Sequence, residues 1–188
     1  MIYVVPKLET ERLILNEGTY DDYVKVYEYD FDRLMDIAGE FEYKKCEPEK
    51  VRKIFESCKE ENTLNFIVYL KDKKIPIGNI VFNRYCELLK SLEISINLHP
   101  NYWGNKYMKE ALLCSMKYIY NNLDIDKIFY TYAIDNRKSL SLCKKIGFEY
   151  CGTSNIYFRR LNKEIIHIEN IMTKEKFNEL YNTKKESM

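Results

Sequence analysis

The sequence predicts one α/β (α+β) domain in which helices flank a mixed sheet, and three observations lead to this fold class. The chain has 188 residues, which suits a single domain. Hydrophobic residues make up 46% of it and charged residues 31%, so it has enough apolar side chains for a core. The hydrophobic periods follow the order β-α-α-β-β-β-α-β-α-β-β, with a strand–helix–strand–helix–strand centre.

The first half of the chain begins with a short strand and two helices. Residues 11–16 form the strand, and Thr19 is an N-cap for a helix with Tyr20, Tyr23, Val24 and Tyr27 on one face. Pro48 begins the second helix, where Val51, Ile54, Phe55 and Cys58 recur at helical spacing. The period then changes to that of a hairpin, with strands over 64–70 and 75–84 and a charged turn over 71–74.

The second half alternates strands with helices. Residues 91–98 alternate apolar and polar side chains, as a half-buried strand does, and a long helix follows Gly104. The segment 128–134 is apolar on both faces, which is typical of a central strand. The next helix spans 137–146 and ends at Gly147. The remaining elements are strands over about 148–158 and 164–172 and a helical tail over 174–182.

Composition excludes several functional classes. The 30 Lys and Arg residues balance 29 Asp and Glu residues, so the net charge of +1 disfavours nucleic acid as the main partner. The cysteines and histidines lack the paired spacing of a zinc site, so no metal is expected. No apolar run is long enough to span a membrane, and no signal-peptide stretch is recognised at the N-terminus, so a cytoplasmic location with reduced cysteines and no membrane partner is expected. We expect one domain over 1–175 and a partly frayed helical tail over 176–188.

The segment 92–110 contains a strand, a short loop and a helix N-terminus, an arrangement that favours anion binding. Lys106 and Lys109 add positive charge to the first turn, where the helix dipole alone favours acidic residues. A bound phosphate would explain these lysines. The alternative is that both simply face water.

Two segments together resemble the GNAT superfamily of N-acetyltransferases, near the branch that acetylates ribosomal-protein N-termini and polyamines. Residues 92–104 resemble its fourth strand and pyrophosphate loop, and Asn136-x-x-Ser139 followed by Lys145-Ile-Gly147-Phe148 resembles its second cofactor motif. Residues 8–15 and 77–84 are similar to its opening and third strands. The resemblance implies a twisted, mostly antiparallel sheet whose fourth and fifth strands splay apart near Asn97 and Tyr132.

The resemblance also implies acetyl-CoA as cosubstrate and a set of residues that bind it. Backbone groups of Asn97 and Leu98 would pair with the pantetheine amides. The loop amides would hold the pyrophosphate; the loop residues are Trp103, Gly104, Asn105, Lys106, Tyr107 and Met108. Asn136 and Ser139 are cofactor candidates that are equally well explained as helix-cap residues. The family usually has small residues where this chain has Lys106 and Met108, and side chains fit such a cradle only if φ is negative there.

Glu93 is the candidate general base, directly or through a water, and its alternative is a solvated or salt-bridged strand glutamate. Ser139 is the candidate beside the cofactor sulfur. Many members carry a tyrosine general acid where this chain has Cys143, which is better explained as a core cysteine.

The function these residues predict is acetyl transfer from acetyl-CoA to a primary amine: a protein N-terminus, a polyamine or a small-molecule amine. The alternative is a non-catalytic acyl-CoA sensor or partner-binding module on the same fold. The acceptor and the choice between monomer and homodimer stay open.

Overall fold

The computed structural model describes residues 4–27, 48–57, 59, 63–158 and 163–182. Cys58, which the sequence assigns to the second helix, lies outside these residues. The strands are β1 Leu8–Glu9, β2 Leu13–Asn16, β3 Leu64–Leu70, β4 Ile75–Cys86, β5 Ser91–Leu98, β6 Lys127–Ala133, β7 Glu149–Phe158 and β8 Lys163–Thr173. The helices are α1 Tyr20–Tyr27, α2 Pro48–Ser57, α3 Tyr107–Asn122, α4 Arg137–Ile146 and α5 Lys174–Tyr181, with a 3₁₀ turn over Pro100–Tyr102.

The eight strands form one sheet in the order β1-β2-β3-β4-β5-β6-β8-β7. Every neighbouring pair is antiparallel except β5 and β6, which are parallel and joined by α3. This architecture confirms the predicted fold class. The first strand, predicted over 11–16, begins later, at Leu13, and the two-residue strand β1 precedes it. Thr10 N–H donates to Leu13 O at 2.9 Å in the turn between β1 and β2.

The main core lies between one face of the sheet and helices α3, α4 and α5. Alternate residues of β5 reach it, with Leu92 and Ile94 almost fully buried against α3 residues such as Leu112. Burial of each such side chain contributes about 1.5–3 kcal/mol. A smaller cluster of Tyr23, Val51 and Ile67 holds α1 and α2 on the opposite face. One face of the sheet therefore packs against α3, α4 and α5 in the main core, and the other packs against α1 and α2 in the smaller cluster.

Helix ends follow the signals in the sequence. Gly147 ends α4 with φ of 96°, and its N–H donates to Cys143 O at 3.0 Å, as the glycine stop predicts. The C-terminal boundary differs from expectation. The expected tail from residue 176 begins inside α5, where Phe177 is 1% exposed in the main core. The described part of the domain therefore extends through Tyr181, whose hydroxyl donates to Ile146 O at 2.7 Å.

Candidate active site

An opening divides the sheet between β5 and β6. Their parallel pairing covers four positions, from Ser91 opposite Lys127 to Ile94 opposite Tyr130. Beyond that point β5 continues to Leu98, paired only with β4, while β6 continues to Ala133, paired only with β8. The two strands therefore separate where the sequence predicts their splay, near Asn97 and Tyr132. Their unpaired edges form the sides of a cleft.

The backbone of β5 presents alternate residues to this cleft. His99 N–H donates to Ile77 O at 2.7 Å, so the hydrogen-bonding groups of His99 point toward β4. The direction of the backbone N–H and C=O groups alternates along a strand. The backbone groups of Asn97 therefore also point toward β4, while those of Ile96 and Leu98 point into the cleft. A Cβ on Gly78 of β4 would collide with Asn97 O, which agrees with this direction. The expectation for Asn97 is therefore corrected: Ile96 and Leu98 present the free edge.

The loop before α3 has the geometry of an anion cradle. Gly104 adopts φ of 80°, and a Cβ placed on it would meet no atom within 4 Å. Lys106 is the N-cap of this 16-residue helix, with φ of 65° and no side-chain capping bond. Lys106 therefore lacks the negative φ that we expect for a residue with a side chain in such a cradle. Met108 lies inside α3 and its side chain is buried. Open space above left-handed backbone and an uncapped helix start suits a phosphate group.

Arg12, which immediately precedes β2, fixes this loop from the other side. Its Nε and Nη2 bind Glu110 Oε2 of α3 at 2.8 and 2.6 Å, and its Nη1 donates to Asn105 O at 3.2 Å. The guanidinium also lies 4.6 Å from the centre of the Tyr107 ring. Burial acts to raise the pKa of Glu110, but hydrogen bonds from Thr10 and Arg12 outweigh it, so the pKa falls. The carboxylate is therefore ionised at neutral pH.

Trp103 connects three parts of the cleft. Its Nε1 donates to Leu98 O at 2.7 Å, on the edge of β5 that faces the cleft. Lys138, in the first turn of α4, places Nζ 3.1 Å from the centre of the Trp103 ring. The amide of Asn105 donates to Trp103 O at 3.1 Å. The indole thus joins the end of β5, the loop and the start of α4.

The start of α4 lies across the cleft from the loop. Asn136 is its N-cap, and Asn136 Oδ1 accepts from Ser139 N at 3.0 Å, which confirms the capping role of this side chain. The Ser139 hydroxyl accepts a hydrogen bond from Tyr130 Oη at 2.8 Å. Tyr130 is the last residue of β6 that pairs with β5. The hydrogen bond from Tyr130 therefore holds the Ser139 side chain at the point where β5 and β6 separate.

Glu93 lies one residue before the end of the β5–β6 pairing. Its Oε2 is 2.7 Å from Nη1 of Arg84, and its side chain is 23% exposed. Glu93 is directly opposite Asn83 on β4, on the sheet face that carries α1 and α2. The salt-bridged interpretation is thus correct as a description of its contact. Its interpretation as a base stays a prediction.

Comparison with known proteins decides the family. A family model described as an acetyltransferase (GNAT) domain matches residues 12–149, well over half of the chain. The chain belongs to the GNAT acetyltransferase family. The curated Bacillus subtilis (strain 168) protein named uncharacterized N-acetyltransferase YnaD is 30% identical over 146 residues, or 77% of this chain and 84% of that protein.

Solved structures share the fold of this acetyltransferase. A GNAT-family acetyltransferase from Bacillus anthracis has a TM-score of 0.76 and 24% identity, over 90% of this chain and 99% of that one. The ribosomal-protein-S5-alanine acetyltransferase from Vibrio fischeri has a TM-score of 0.71 and 19% identity, over 92% of this chain and 98% of that one. The family model and the curated relative confirm the GNAT assignment and the predicted acyltransferase class, and the solved structures confirm the fold.

Cys143 of this acetyltransferase is a core residue, as the sequence favours. It is 2% exposed, and burial raises the pKa of its thiol to about 11. Within the described residues no group of three or more His, Cys, Asp or Glu side chains could hold a metal ion. None of the described helices combines the length and the apolar character that crossing a membrane requires.

Two contributors to the site were not anticipated from the sequence. Arg12 holds the loop, and Tyr130 lies at the last position where β6 pairs with β5. The resemblance already implies Ile96, on the stretch to Leu98 that would stabilise the oxyanion, and Tyr132, beside the splay. The repeated tyrosines at alternate positions of a central strand are the available signal for Tyr130. Nothing in the local sequence distinguishes Arg12 from other surface arginines.

Proposed function

We propose that this GNAT enzyme transfers an acetyl group from acetyl-CoA to a primary amine by direct attack on the thioester. The observation that carries the proposal is one combination of features. A strand with a free edge ends beside an uncapped helix start, and the backbone between them is left-handed at Gly104 and Lys106. A ligand with an amide-containing arm and a pyrophosphate matches both features.

The residues of the cleft fit acetyl-CoA as follows. Backbone groups of Ile96 and Leu98 would pair with the pantetheine amides, once the Trp103 indole leaves the Leu98 carbonyl or shares it. The loop from Trp103 to Met108 would hold the pyrophosphate through its N–H groups, with Lys106 and Lys138 adding positive charge. Asn136 would support this end of the cleft by fixing the start of α4.

The chemistry asks for a base, an oxyanion donor and a proton for the leaving sulfur. Glu93 would accept the proton of the attacking amine, directly or through a water, and its ion pair with Arg84 orients the carboxylate. An N–H group on the free edge of β5, at Ile96 or Leu98, would stabilise the oxyanion. Ser139 would lie near the sulfur of acetyl-CoA.

The acceptor classes compatible with this chemistry are a protein N-terminus, a polyamine and a small-molecule amine. The Vibrio fischeri neighbour is named for a ribosomal protein, which supports including N-terminal peptides among the acceptors tested. We expect the protein to act in the cytoplasm, where acetyl-CoA and these amines occur together.

A second function is a non-catalytic acyl-CoA sensor or partner-binding module. Two contacts favour it: Arg84 occupies the Glu93 carboxylate, and the Trp103 indole occupies the Leu98 carbonyl. A sensor would bind acetyl-CoA without releasing CoA in the presence of any amine.

The test measures binding and turnover separately. Acetyl-CoA at a hundredfold excess over its Kd should stabilise the fold by about 2.7 kcal/mol, seen as a rise in Tm. Gly104→Val should abolish this rise, because its β-branched side chain would enter the open space and resist the left-handed backbone. CoA release is then measured with peptides, polyamines and aminoglycosides. No rise in Tm at millimolar acetyl-CoA would reject both the enzyme and the acyl-CoA sensor, and binding without release would favour the sensor.

A further inference from the structure

Amide side chains line the sheet face that carries α1 and α2, next to Glu93. Asn65 of β3 is two residues before Ile67, a member of the smaller cluster, so both lie on this face. Asn79 of β4 is directly opposite Ile67, and Asn83 of the same strand is directly opposite Glu93. Glu93 is the only carboxylate in β3, β4 and β5. The surface beside the candidate base is therefore built from amides rather than from carboxylates.

The exposure of these side chains decreases from β5 toward β3. Ser95 of β5 is exposed, and Glu93 and Asn83 are half-buried. Asn79 is 1% exposed and Asn65 is 4% exposed. The polar surface is thus open to solvent at β5, the strand that borders the cleft, and becomes buried at β3.

A chain of hydrogen bonds sets the direction of two of these amides. The Tyr27 hydroxyl donates to Asn79 Oδ1 at 3.3 Å, and Asn79 Nδ2 donates to Asn65 Oδ1 at 3.4 Å. Asn65 Nδ2 is the end of this chain, and none of the described residues accepts a hydrogen bond from it. Asn83 Oδ1 is also buried, and it has no donor among the described residues. Because an unpaired buried polar group destabilises a fold, both atoms suit a ligand that supplies the missing partners.

The two missing partners differ in chemistry and in position. Asn83 Oδ1 requires an N–H donor, and its residue is directly opposite Glu93. Asn65 Nδ2 requires an oxygen acceptor on the next strand. Asn65 pairs with Val81, two residues before Asn83, so Asn65 and Asn83 are diagonal neighbours with Cα atoms about 7–8 Å apart. A matching ligand therefore has an amine at one end and an oxygen a few bonds away.

Polyamines do not have this combination of groups. In its protonated form an alkylamine offers N–H donors and no acceptor, as the lysine ammonium does. A polyamine bound beside Glu93 would therefore leave Asn65 Nδ2 unpaired. A second ammonium group would also find no further carboxylate in β3, β4 or β5.

We propose that Asn83 and Asn65 select the acceptor of this acetyltransferase. Asn83 Oδ1 accepts a hydrogen bond from the acceptor amine beside Glu93, and Asn65 Nδ2 donates to an oxygen of the same acceptor. This inference rests on the proposed function and narrows it. The acceptor is a primary amine with a carbonyl or hydroxyl oxygen a few bonds from the nitrogen. A peptide N-terminus and an amino sugar both have this chemistry, whereas a polyamine does not.

The acceptor preference of the wild-type enzyme tests the proposal without a substitution. CoA release is measured with alanylalanine amide, glucosamine and putrescine, each at the same concentration of free amine. For the better of the first two, kcat/KM should exceed that for putrescine at least tenfold, because a site built to bond a polar group rejects analogues that lack it. Preference for the dipeptide indicates a carbonyl, and preference for glucosamine indicates a hydroxyl. A putrescine value within threefold of the better one, or above it, would overturn the proposal while the proposed function stands. No release with any acceptor would defeat both.

Two variants separate the roles of the amides. Asn65→Asp keeps the size of the side chain and replaces its donor with an acceptor. It should lower kcat/KM for the preferred acceptor at least tenfold and for putrescine less than threefold, while the rise in Tm with acetyl-CoA stays unchanged. Asn83→Ala should lower kcat/KM for all three acceptors alike, because they share the amine. Asn155→Asp, at an exposed position of β7, is the control and should change none of these values.

Each variant has a result that contradicts the proposal. Equal losses for all three acceptors in Asn65→Asp would show that Asn65 does not read the acceptor oxygen. Asn83→Ala changes a half-buried side chain, so it remains informative if the buried charge of Asn65→Asp prevents folding. An unchanged kcat/KM for every acceptor in Asn83→Ala would overturn the assignment of the amine to Asn83.

Discussion

Lys106 holds a backbone conformation that lysine rarely adopts. Its φ of 65° puts a side chain where glycine would be unstrained, at the start of the helix that borders the cleft. Gly104, two residues earlier in the same loop, also has a positive φ and faces open space. The loop therefore keeps its shape at an energetic cost located in one residue.

Replacing Lys106 by glycine should stabilise the protein. Relief of the left-handed strain should stabilise the folded state by about 1–2 kcal/mol. The greater conformational freedom of glycine in the unfolded chain offsets about 0.5–1 kcal/mol of this stabilisation. We expect a rise in Tm of about 2 °C, measured by calorimetry. Lys117→Gly, at an exposed position inside α3, is the control and should lower Tm, because glycine costs about 1 kcal/mol in a helix. Equal losses in both variants would show that Lys106 is not strained.

Glu93→Gln should separate catalysis from structure. If Glu93 is the base, turnover falls by about 10²-fold while acetyl-CoA binding is unchanged, and the remaining rate rises with pH as free amine becomes available. Arg84→Gln is the control, since it breaks the same ion pair without removing the carboxylate. Exposed ion pairs contribute about 0–1 kcal/mol, so neither variant should unfold. Turnover within threefold of wild type in Glu93→Gln would assign Glu93 a structural role.

At the scale of the elements, the turn that leads into β2 has an unexpected connection to the loop before α3. Arg12 binds Glu110 and the Asn105 carbonyl, although Arg12 and Glu110 are 98 residues apart in the chain. The pKa of Glu110 is lowered, so the contribution of this ion pair is complete above the ordinary carboxyl pKa and is lost as pH falls through the lowered value. The ion pair between Arg12 and Glu110 should thus be equally strong at all pH values near 7.

Arg12→Ala should weaken acetyl-CoA binding by freeing the loop. We expect Kd to rise about tenfold, which corresponds to about 1.4 kcal/mol. Fluorescence of Trp103 reports the binding, because it is the sole tryptophan of the chain and its indole contacts the cleft edge. Arg52→Ala is the control, since Arg52 lies on α2 against the Tyr20 ring. An unchanged Kd in Arg12→Ala would mean that the loop holds its shape without the Arg12 side chain.

The sequence predicts elements best where their signals are local. The cap at Asn136 and the stop at Gly147 both lie next to the helix that they bound, and α4 was predicted with its observed limits. The alternation in β5 identified the face of each side chain. It could not identify which backbone groups face the cleft, because this depends on pairing with β4, and so Asn97 was chosen together with Leu98. Contacts such as that between Arg12 and Glu110 join residues far apart in the chain, so they can be identified only in the folded structure.

At the scale of the whole molecule, α5 closes the main core. Phe177 packs against Tyr120 of α3 with ring centres 5.2 Å apart, and Tyr181 bonds the end of α4. The sequence alone places the domain boundary after residue 175, inside this helix, because the short amphipathic pattern of the helix does not reveal what it packs against. Three segments distant in the chain thus depend on one another.

Phe177→Ala should destabilise the whole domain. Removing a fully buried phenylalanine typically costs about 3–5 kcal/mol. The control is Leu180→Ala on the same helix, where the side chain is 40% exposed and the expected cost is below about 1 kcal/mol. Chemical denaturation of both variants measures the free energy of unfolding. Similar losses in the two variants would indicate that α5 is a dispensable tail.

The sheet order also has a consequence for synthesis of the chain. Strands β1 to β5 are antiparallel neighbours in the order in which a ribosome makes them, whereas β6 joins them through only four parallel pairs. A growing chain can therefore complete one wall of the cleft while the opposite wall is still untranslated. The cleft has both walls only once β6 has joined β5. A ligand that needs both walls therefore cannot stabilise a chain that ends before β6.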